Sequence, residues 1–277
     1  MTAAAPNRCY TSFSADESAI LLTQKIQAQE PFFFVRYGDG ALECMAGKSG
    51  MTCDLEQYSV DLGFQLQWAF ETLMRGGRCS ALNPAWCRAP QEPCAKGKND
   101  LRKCRIYPKV YVGDWLSASF DAGSEHARYA QQYAELIGSG TPEFIHFEAL
   151  LLMRDSRALL DFYKAVKVDT RRKLYMGPLD NESAAKMLGA EFIPTPMRDL
   201  FRFSEVYSRA LLDREFDILL YGAGMAGNLP VVKCWQQYPG RTYINLGSAL
   251  DVLFQGHKTR RQQLTPVAAR RLFQELL

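Results

Sequence analysis

Apolar residues recur along this chain at two periods. Ser14 followed three residues later by Glu17 forms a capping box ahead of Ile20, Leu21, Leu22 and Ile26, which predicts a helix. Phe32 to Arg36 then reads as a buried strand, and it runs into Tyr37-Gly38-Asp39-Gly40, where closely spaced glycines predict a tight turn. Leu55 to Met74 reads as an amphipathic helix with Leu62, Leu66, Ala69, Phe70 and Leu73 at helical spacing. The stretch from Gly76 to Asn99 is rich in Pro, Gly, Cys and Lys and lacks periodicity, as expected of a long surface excursion. Lys109 to Val112 reads as a strand and Phe144 to Leu160 as a helical pattern.

The second half is more regular. Strands are expected at Lys173–Met176, Glu191–Ile193, Asp217–Tyr221 and Thr242–Asn245, separated by helices at Ser183–Leu188, Phe203–Leu212 and Leu229–Gln237. Alternation of this kind implies right-handed crossovers and a mostly parallel sheet flanked by helices, an α/β Rossmann-like fold. In such sheets ligands sit beyond the carboxyl ends of the strands. No internal repeat or persuasive linker divides the sequence, so the expectation is one domain over 1–277 with a Cys-rich, basic insert at about 76–109.

Composition narrows the classes. A hydrophobic fraction of 47% with 23% charged residues supports an ordinary globular core. A net charge of +3 is too small for a general polyanion binder, although the stretch from Arg75 to Lys109 holds many more cations than acids. No run of about 18 uncharged apolar residues is present and residues 1–14 do not read as a secretory signal, so the expected location is cytoplasmic. Eight cysteines are too sparse for a disulfide scaffold, and no two have the spacing that lets neighbouring thiolates grip one zinc.

Two glycine-rich corners carry the candidate chemistry, and each follows an apolar strand. In Arg36-Tyr37-Gly38-Asp39-Gly40 the glycines admit close backbone approach, the Asp39 carboxylate suits a divalent cation, and the Arg36 guanidinium suits phosphate. Gly222-Ala223-Gly224-Met225-Ala226-Gly227 matches G-x-G-x-x-G between a strand and a helix, where unpaired N–H groups and the helix dipole attract phosphate oxygens. A dinucleotide site would also want an acid closing the next strand to hold a ribose hydroxyl, but Thr242-Tyr243-Ile244-Asn245 ends in Asn245, which weakens a nicotinamide or flavin reading.

With these residues in view, Phe33-Phe34-Val35-Arg36-Tyr37-Gly38-Asp39-Gly40-Ala41-Leu42 resembles the R-x-G-D-G-E-L signature of GT-D-type glycosyltransferases, whose acidic D-x-E pair serves the donor and its metal. Ile218 to Phe254 resembles that family's late block, including the turn Asn245-Leu246-Gly247-Ser248-Ala249-Leu250-Asp251, trailed by Gly256, Lys258 and Arg260. Met176-Gly177-Pro178 and Phe192-Ile193-Pro194-Thr195-Pro196 fit its central strands. The resemblance implies a GT-D-like fold and a nucleotide-sugar donor, a UDP-sugar first among them. It implies donor contacts from Arg36, Gly38, Asp39, Gly40, Gly222, Ala223, Gly224, Gly227, Asn245, Gly247, Ser248 and Lys258. It also implies Mn2+ or Mg2+ at Asp39. Ala41 stands where the second acid of D-x-E belongs, which leaves Glu43, or phosphate and water alone, to complete the metal's shell.

Sugar transfer requires a neutralised diphosphate leaving group and, for an inverting reaction, a carboxylate that takes the acceptor's proton. Glu148, in His146-Phe147-Glu148, and Asp114, in Val112-Gly113-Asp114-Trp115, are the candidates for that base. Trp68, Trp86, Trp115 and Trp235 are candidates to stack on a sugar or base, with core packing the simpler reading for Trp68 and Trp235. The expected acceptor is a glycan or glycoprotein, with a hydroxylated nucleic-acid base as the variant that the basic stretch motivates. A non-catalytic nucleotide-binding module and an NAD(P)-dependent oxidoreductase are the competing classes. The start of a zinc-deaminase pattern at His146 lacks the P-C-x-x-C it needs.

Overall fold

Phe32, Phe33, Phe34 and Val35 have no exposed surface, so the strand they form must be covered on both faces. The computed structural model, which describes residues 13–45, 47, 56–74, 109–114, 143–151, 156–254, 265–274 and 276, places it well inside a seven-stranded parallel sheet. In chain order the elements are α1 (Ala15–Gln27), β1 (Phe32–Arg36), α2 (Asp39–Met45), α3 (Val60–Met74), β2 (Lys109–Asp114), β3 (Glu143–His146), α4 (Arg157–Val168), β4 (Lys173–Pro178), α5 (Glu182–Met187), β5 (Glu191–Thr195), α6 (Ser204–Leu212), β6 (Ile218–Tyr221), α7 (Asn228–Gln237), β7 (Thr242–Asn245), α8 (Asp251–Phe254) and α9 (Pro266–Leu272). The strand order is β3-β2-β1-β7-β6-β4-β5, so the mixed α/β, parallel-sheet expectation holds.

Helices α3, α6 and α7 pack side by side on one face, while α1 pairs with α4 on the other. The core is aromatic where the layers meet. Phe33 stands edge-on to Trp235 of α7 at 5.6 Å and lies 5.3 Å from Tyr243 of β7, while Phe32 meets Tyr111 of β2 at 6.0 Å. Full burial of each such side chain contributes roughly 1.5–3 kcal/mol. Trp235 is therefore a core residue and not a stacking platform; Trp68 is half-buried against the same core.

Three local expectations need correction. Asp39 and Gly40 open helix α2, with the Leu42 N–H donating to the Gly38 carbonyl, and neither Gly38 nor Gly40 has a positive φ, so the chain leaves β1 through a short link into a helix. Helix α3 begins at Val60, not at Leu55, although its predicted apolar positions Leu62, Leu66, Ala69, Phe70 and Leu73 are all buried. The stretch read as one helix from Phe144 to Leu160 is a strand, a turn and the start of α4: Glu143–His146 pairs with β2, and α4 starts only where the Ser156 hydroxyl accepts the Leu159 N–H. A short run of buried apolar residues has the same periodicity in either state, and strand pairing decides it.

The capping box at α1 forms as expected, with Ser14 Oγ and the Glu17 carboxylate each accepting from the other residue's backbone N–H. At the opposite end of the sheet a second polar cluster joins α1, α4 and β4. Asp169 is nearly buried and accepts from the Arg171 N–H, Nε and Nη2, the last at 2.7 Å. Arg171 Nη2 also donates to the Ile26 carbonyl at the end of α1. Lys173 Nζ caps the last turn of α4 through the carbonyls of Val166, Lys167 and Asp169, where a cation also meets the negative end of the helix dipole.

Burial alone raises the Asp169 carboxyl, but the Arg171 hydrogen bonds outweigh it and hold it below its ordinary value. A depressed carboxyl stabilises the fold fully above its unfolded pKa of about 3.9, and that contribution is lost as pH falls through the folded one. Asp169→Asn is therefore expected to lower unfolding free energy by about 2–3 kcal/mol at pH 7, with the gap to the parent narrowing below about pH 4. Urea unfolding at both pH values measures this, and a gap that does not change with pH would assign the loss to shape alone.

Candidate active site at the carboxyl edge of the sheet

The last residues of β1, β7 and β6 are Arg36, Asn245 and Tyr221, and one buried side chain ties all three. Asn228, the first residue of α7, is wholly enclosed. Its Nδ2 donates to the Arg36 carbonyl at 3.3 Å, and its Oδ1 accepts from the Tyr221 hydroxyl at 3.0 Å and from Asn245 Nδ2 at 3.1 Å. Burial pushes the Tyr221 hydroxyl far up, so it stays protonated and donates. The two glycine-rich corners read from the sequence are thereby joined: the helix that follows the second is hydrogen-bonded to the strand that precedes the first.

The Arg36 side chain spans this edge between the turn after β7 and the turn after β3. Its Nη2 donates to the Leu246 carbonyl at 3.2 Å, and its guanidinium carbon lies 4.9 Å from the centre of the Phe147 ring. Two glycines make the space. Arg36 is in register with Gly113 of β2, where a Cβ would stand 3.0 Å from Arg36 Cγ and 3.3 Å from Phe147 Cα. At Gly247 a Cβ would overlap Nη2 itself, and Gly247 also has φ +52°, a region that glycine enters freely and other residues enter at a cost. Phe147 extends over Gly38 as well, its Cζ 3.6 Å from where a Cβ would be.

The turn from Gly222 to Gly227 differs in detail from the expected anion cradle. The N–H groups of Gly227, Asn228 and Leu229 are taken by the carbonyls of Ala223, Met225 and Ala226. They do not wait for a phosphate. Gly224, at φ +60°, is half-buried while its neighbours in the turn are buried, and Gly227 is required by a contact: a Cβ there would lie 2.7 Å from Ala223 Cβ. Gly222 donates its N–H to the Met176 carbonyl and faces the next turn, where the Gly247 carbonyl would be 2.6 Å from an added Cβ. Asn245 turns its amide inward to Asn228, away from any ribose, which argues further against a dinucleotide site built in the usual way.

The candidate acids fall around this centre. Asp39 is the first residue of α2, and Glu43 follows four residues later on the same helical face. Glu43 accepts from the Tyr58 hydroxyl at 3.0 Å. Asp114 ends β2 in register with His146 at the end of β3. The side chains of Asp39 and Asp114 lie outside what the structure describes, as do Lys258, Trp86 and Trp115 entirely. Glu148 is half-buried in the turn after β3, beside the Phe147 that covers Arg36, and its N–H donates to His146 Nδ1 at 3.1 Å. Ser248 follows Gly247, and its carbonyl accepts the Asp251 N–H.

Direct contact thus links Arg36, Gly222, Asn245 and Gly247, with Gly38 reached through Phe147. Four residues that complete the arrangement were not singled out by sequence: Asn228, Phe147, Gly113 and Asn181. Asn181 follows β4 and puts its Nδ2 3.3 Å from the Tyr175 hydroxyl and 3.2 Å from the Cβ position at Gly222. Asn228 directly follows the last glycine of the second corner, and Phe147 and Gly113 sit inside tripeptides already noted for their acids, so position alone was the available signal.

Gly247→Ala is expected to destabilise the fold by about 2 kcal/mol or more, combining left-handed backbone cost with displacement of the arginine. Gly240, which has open space around its Cβ position and no positive φ, is the control. Gly240→Ala should stay within about 0.5 kcal/mol of the parent in the same denaturant titration, and equal effects of the two substitutions would contradict the packing described.

A scan against protein-family models finds no match, and neither does a search of curated proteins. Among solved structures the chain is similar to one described by the words "the highly conserved domain of unknown function 1792 has a distinct glycosyltransferase fold". The two share 14% identity and superpose with a TM-score of 0.50 over 95% of this chain and 98% of the other. At that identity the likeness concerns architecture: the α/β sheet described above is similar to a glycosyltransferase fold.

Proposed function

We propose that this chain is a glycosyltransferase that moves a sugar from a nucleotide-diphosphate donor, a UDP-sugar in the first instance, to a hydroxyl group of an acceptor. One observation carries the reading: the Arg36 guanidinium is held at the carboxyl edge of the sheet, where both glycine-rich corners meet. The likeness to a glycosyltransferase fold supports it.

In this reading the acceptor oxygen bonds to the anomeric carbon as the bond from that carbon to the diphosphate oxygen breaks, and the electron pair leaves with the nucleoside diphosphate. Arg36 stabilises the charge that develops on the leaving oxygens, with its geometry fixed beforehand by Leu246, Phe147 and Gly247. Glu148 takes the acceptor's proton, with Asp114 as the other candidate. A divalent cation, Mn2+ or Mg2+, fits the hard oxygen donors that α2 offers at Asp39 and Glu43. Among the described residues no group of three His, Cys, Asp or Glu side chains is gathered for a metal, so donor phosphates and water would complete the shell. Such an ion would add charge neutralisation at the diphosphate. The acceptor is a glycan or glycoprotein in this proposal, and a nucleic-acid acceptor would reveal itself by affinity that falls steeply with salt.

A thermal-shift series over nucleotide sugars with and without Mn2+ tests the assignment, because a ligand that binds only the folded state raises its melting temperature. A UDP-sugar should raise it by several degrees at saturating concentration. Arg36→Ala should weaken donor binding about tenfold or more, and Asp39→Ala should abolish transfer while leaving the fold intact. Unchanged turnover in Asp39→Ala would falsify the assignment. Donor binding with no transfer or donor hydrolysis under Mn2+ would instead point to a non-catalytic nucleotide-binding module.

A further inference from the structure

The sequence lacks the acid that normally closes the strand after a glycine-rich corner, and the next acid in the chain is Asp251. After β7 the backbone crosses the end of β6. The N–H groups of Leu246 and Gly247 both donate to the Tyr221 carbonyl, and the Gly247 carbonyl lies against Gly222. The crossing delivers α8, which begins with Asp251, onto the short 3-10 turn Leu179–Asn181 that follows β4.

The ends of β4 and β6 form a topological switch point of the sheet. β4 continues outward to β5, whereas β6 continues inward to β7, so under right-handed crossovers their connections leave on opposite faces of the sheet. Such a switch point is where open parallel sheets bind nucleotides. The Asn181 side chain and the Tyr175 hydroxyl stand beside Gly222 there, and Asp251 opens the helix that packs on the turn carrying Asn181. In keeping with that packing, burial and then the charge of Asp251 raise the Tyr175 hydroxyl. Asp251 and Asn181 differ in one decisive respect: Asp251 is half-buried and reachable, whereas Asn181 is 5% exposed.

Resting on the functional reading above, we propose that the switch point between β4 and β6 is the ribose subsite of the donor, with the Asp251 carboxylate accepting hydrogen bonds from the vicinal hydroxyls of a ribonucleoside diphosphate. Two carboxylate oxygens match two neighbouring hydroxyl donors, the same chemistry that an acid at the position of Asn245 would have supplied. Arg36 lies on the other side of Gly247, so ribose at Asp251 leaves the diphosphate free to reach the guanidinium.

Calorimetric titration of UDP and 2′-deoxy-UDP, each with Mn2+, into the parent and into Asp251→Asn tests the subsite. The parent should bind UDP about tenfold or more tightly than 2′-deoxy-UDP, the size of one charge-assisted hydrogen bond. Asp251→Asn should weaken UDP more than 2′-deoxy-UDP, which keeps one of the two hydroxyls, and so bring the two affinities within a few-fold of each other, a pattern that misfolding, which weakens both alike, does not produce. A parent that binds both nucleotides equally, or a variant that keeps the preference, overturns the subsite and leaves the glycosyltransferase reading standing. Failure of the parent to bind UDP, GDP or ADP in any form removes both.

Discussion

A parallel sheet ends in a row of backbone groups with no further strand residue to pair them, and a ligand site at that edge must first settle those groups. Here the Asn228 side chain pairs the last carbonyl of β1 and binds the side chains that end β6 and β7, while the last carbonyl of β6 is taken by the Leu246 and Gly247 N–H groups. It is an amide with both ends used: Nδ2 on the β1 carbonyl, Oδ1 on the hydroxyl that ends β6 and on the amide that ends β7. Each of those partners is buried or half-buried, so removing the amide would strand a polar atom at about 1–3 kcal/mol apiece. A fully satisfied buried polar network fixes one geometry where an apolar contact would tolerate several. The position of Arg36 relative to the Gly222 corner is set by this arrangement.

Arg36 also explains glycines that local structure does not. Gly113 sits inside β2, where glycine weakens a strand, and the compensation is that the arginine side chain passes directly over it beneath Phe147. Gly247 serves a turn and a contact together, since its positive φ and its nearness to Nη2 both demand a missing Cβ. The guanidinium is thus bounded by an aromatic ring, a backbone carbonyl and two absent side chains. Such confinement lets a cation act on a substrate without first losing rotamer freedom.

Much of the architecture was legible in the pattern of residues. Continuous apolar runs at β1, β6 and β7, broken by glycine and followed by helical spacing, sufficed to foresee a parallel sheet and to place both corners at its carboxyl edge. What failed, failed for identifiable reasons. The first corner enters a helix because Ala41, Leu42, Glu43 and Met45 are good helix formers with a Gly38 carbonyl to start them, and glycine spacing alone does not reveal a φ sign. The second corner looked like an anion cradle, yet the carbonyls of Ala223, Met225 and Ala226 fold back to satisfy the helix start. Partners such as Phe147, Asn181 and Asn228 are defined by contacts between distant segments, Asn228 with Arg36 across 192 positions among them, and no local spacing encodes those.

The strand order itself gives the proposed site a direction. From one side of the sheet to the other the edge presents Glu148 after β3, Asp114 on β2, Arg36 on β1, Gly247 after β7, Gly222 after β6 and Asn181 after β4. Neighbouring strands lie about 4.8 Å apart. Arg36 is therefore about 14 Å from the end of β4 and about 10 Å from the end of β3, three and two strand intervals respectively. A donor whose nucleoside sits toward β4 and whose diphosphate reaches Arg36 must extend its sugar toward β2 and β3. That is the side on which the candidate bases stand, and two strand intervals leave room for a sugar ring and the oxygen that attacks it. The opposite orientation would bring the sugar to the β4 side, where Asp180, Glu182 and Asp251 stand, and would leave Glu148 with no substrate proton within reach. The order of strands, which follows from the crossovers and not from any single residue, therefore couples the ribose subsite to the choice of base: accepting Asp251 in the first role excludes it from the second.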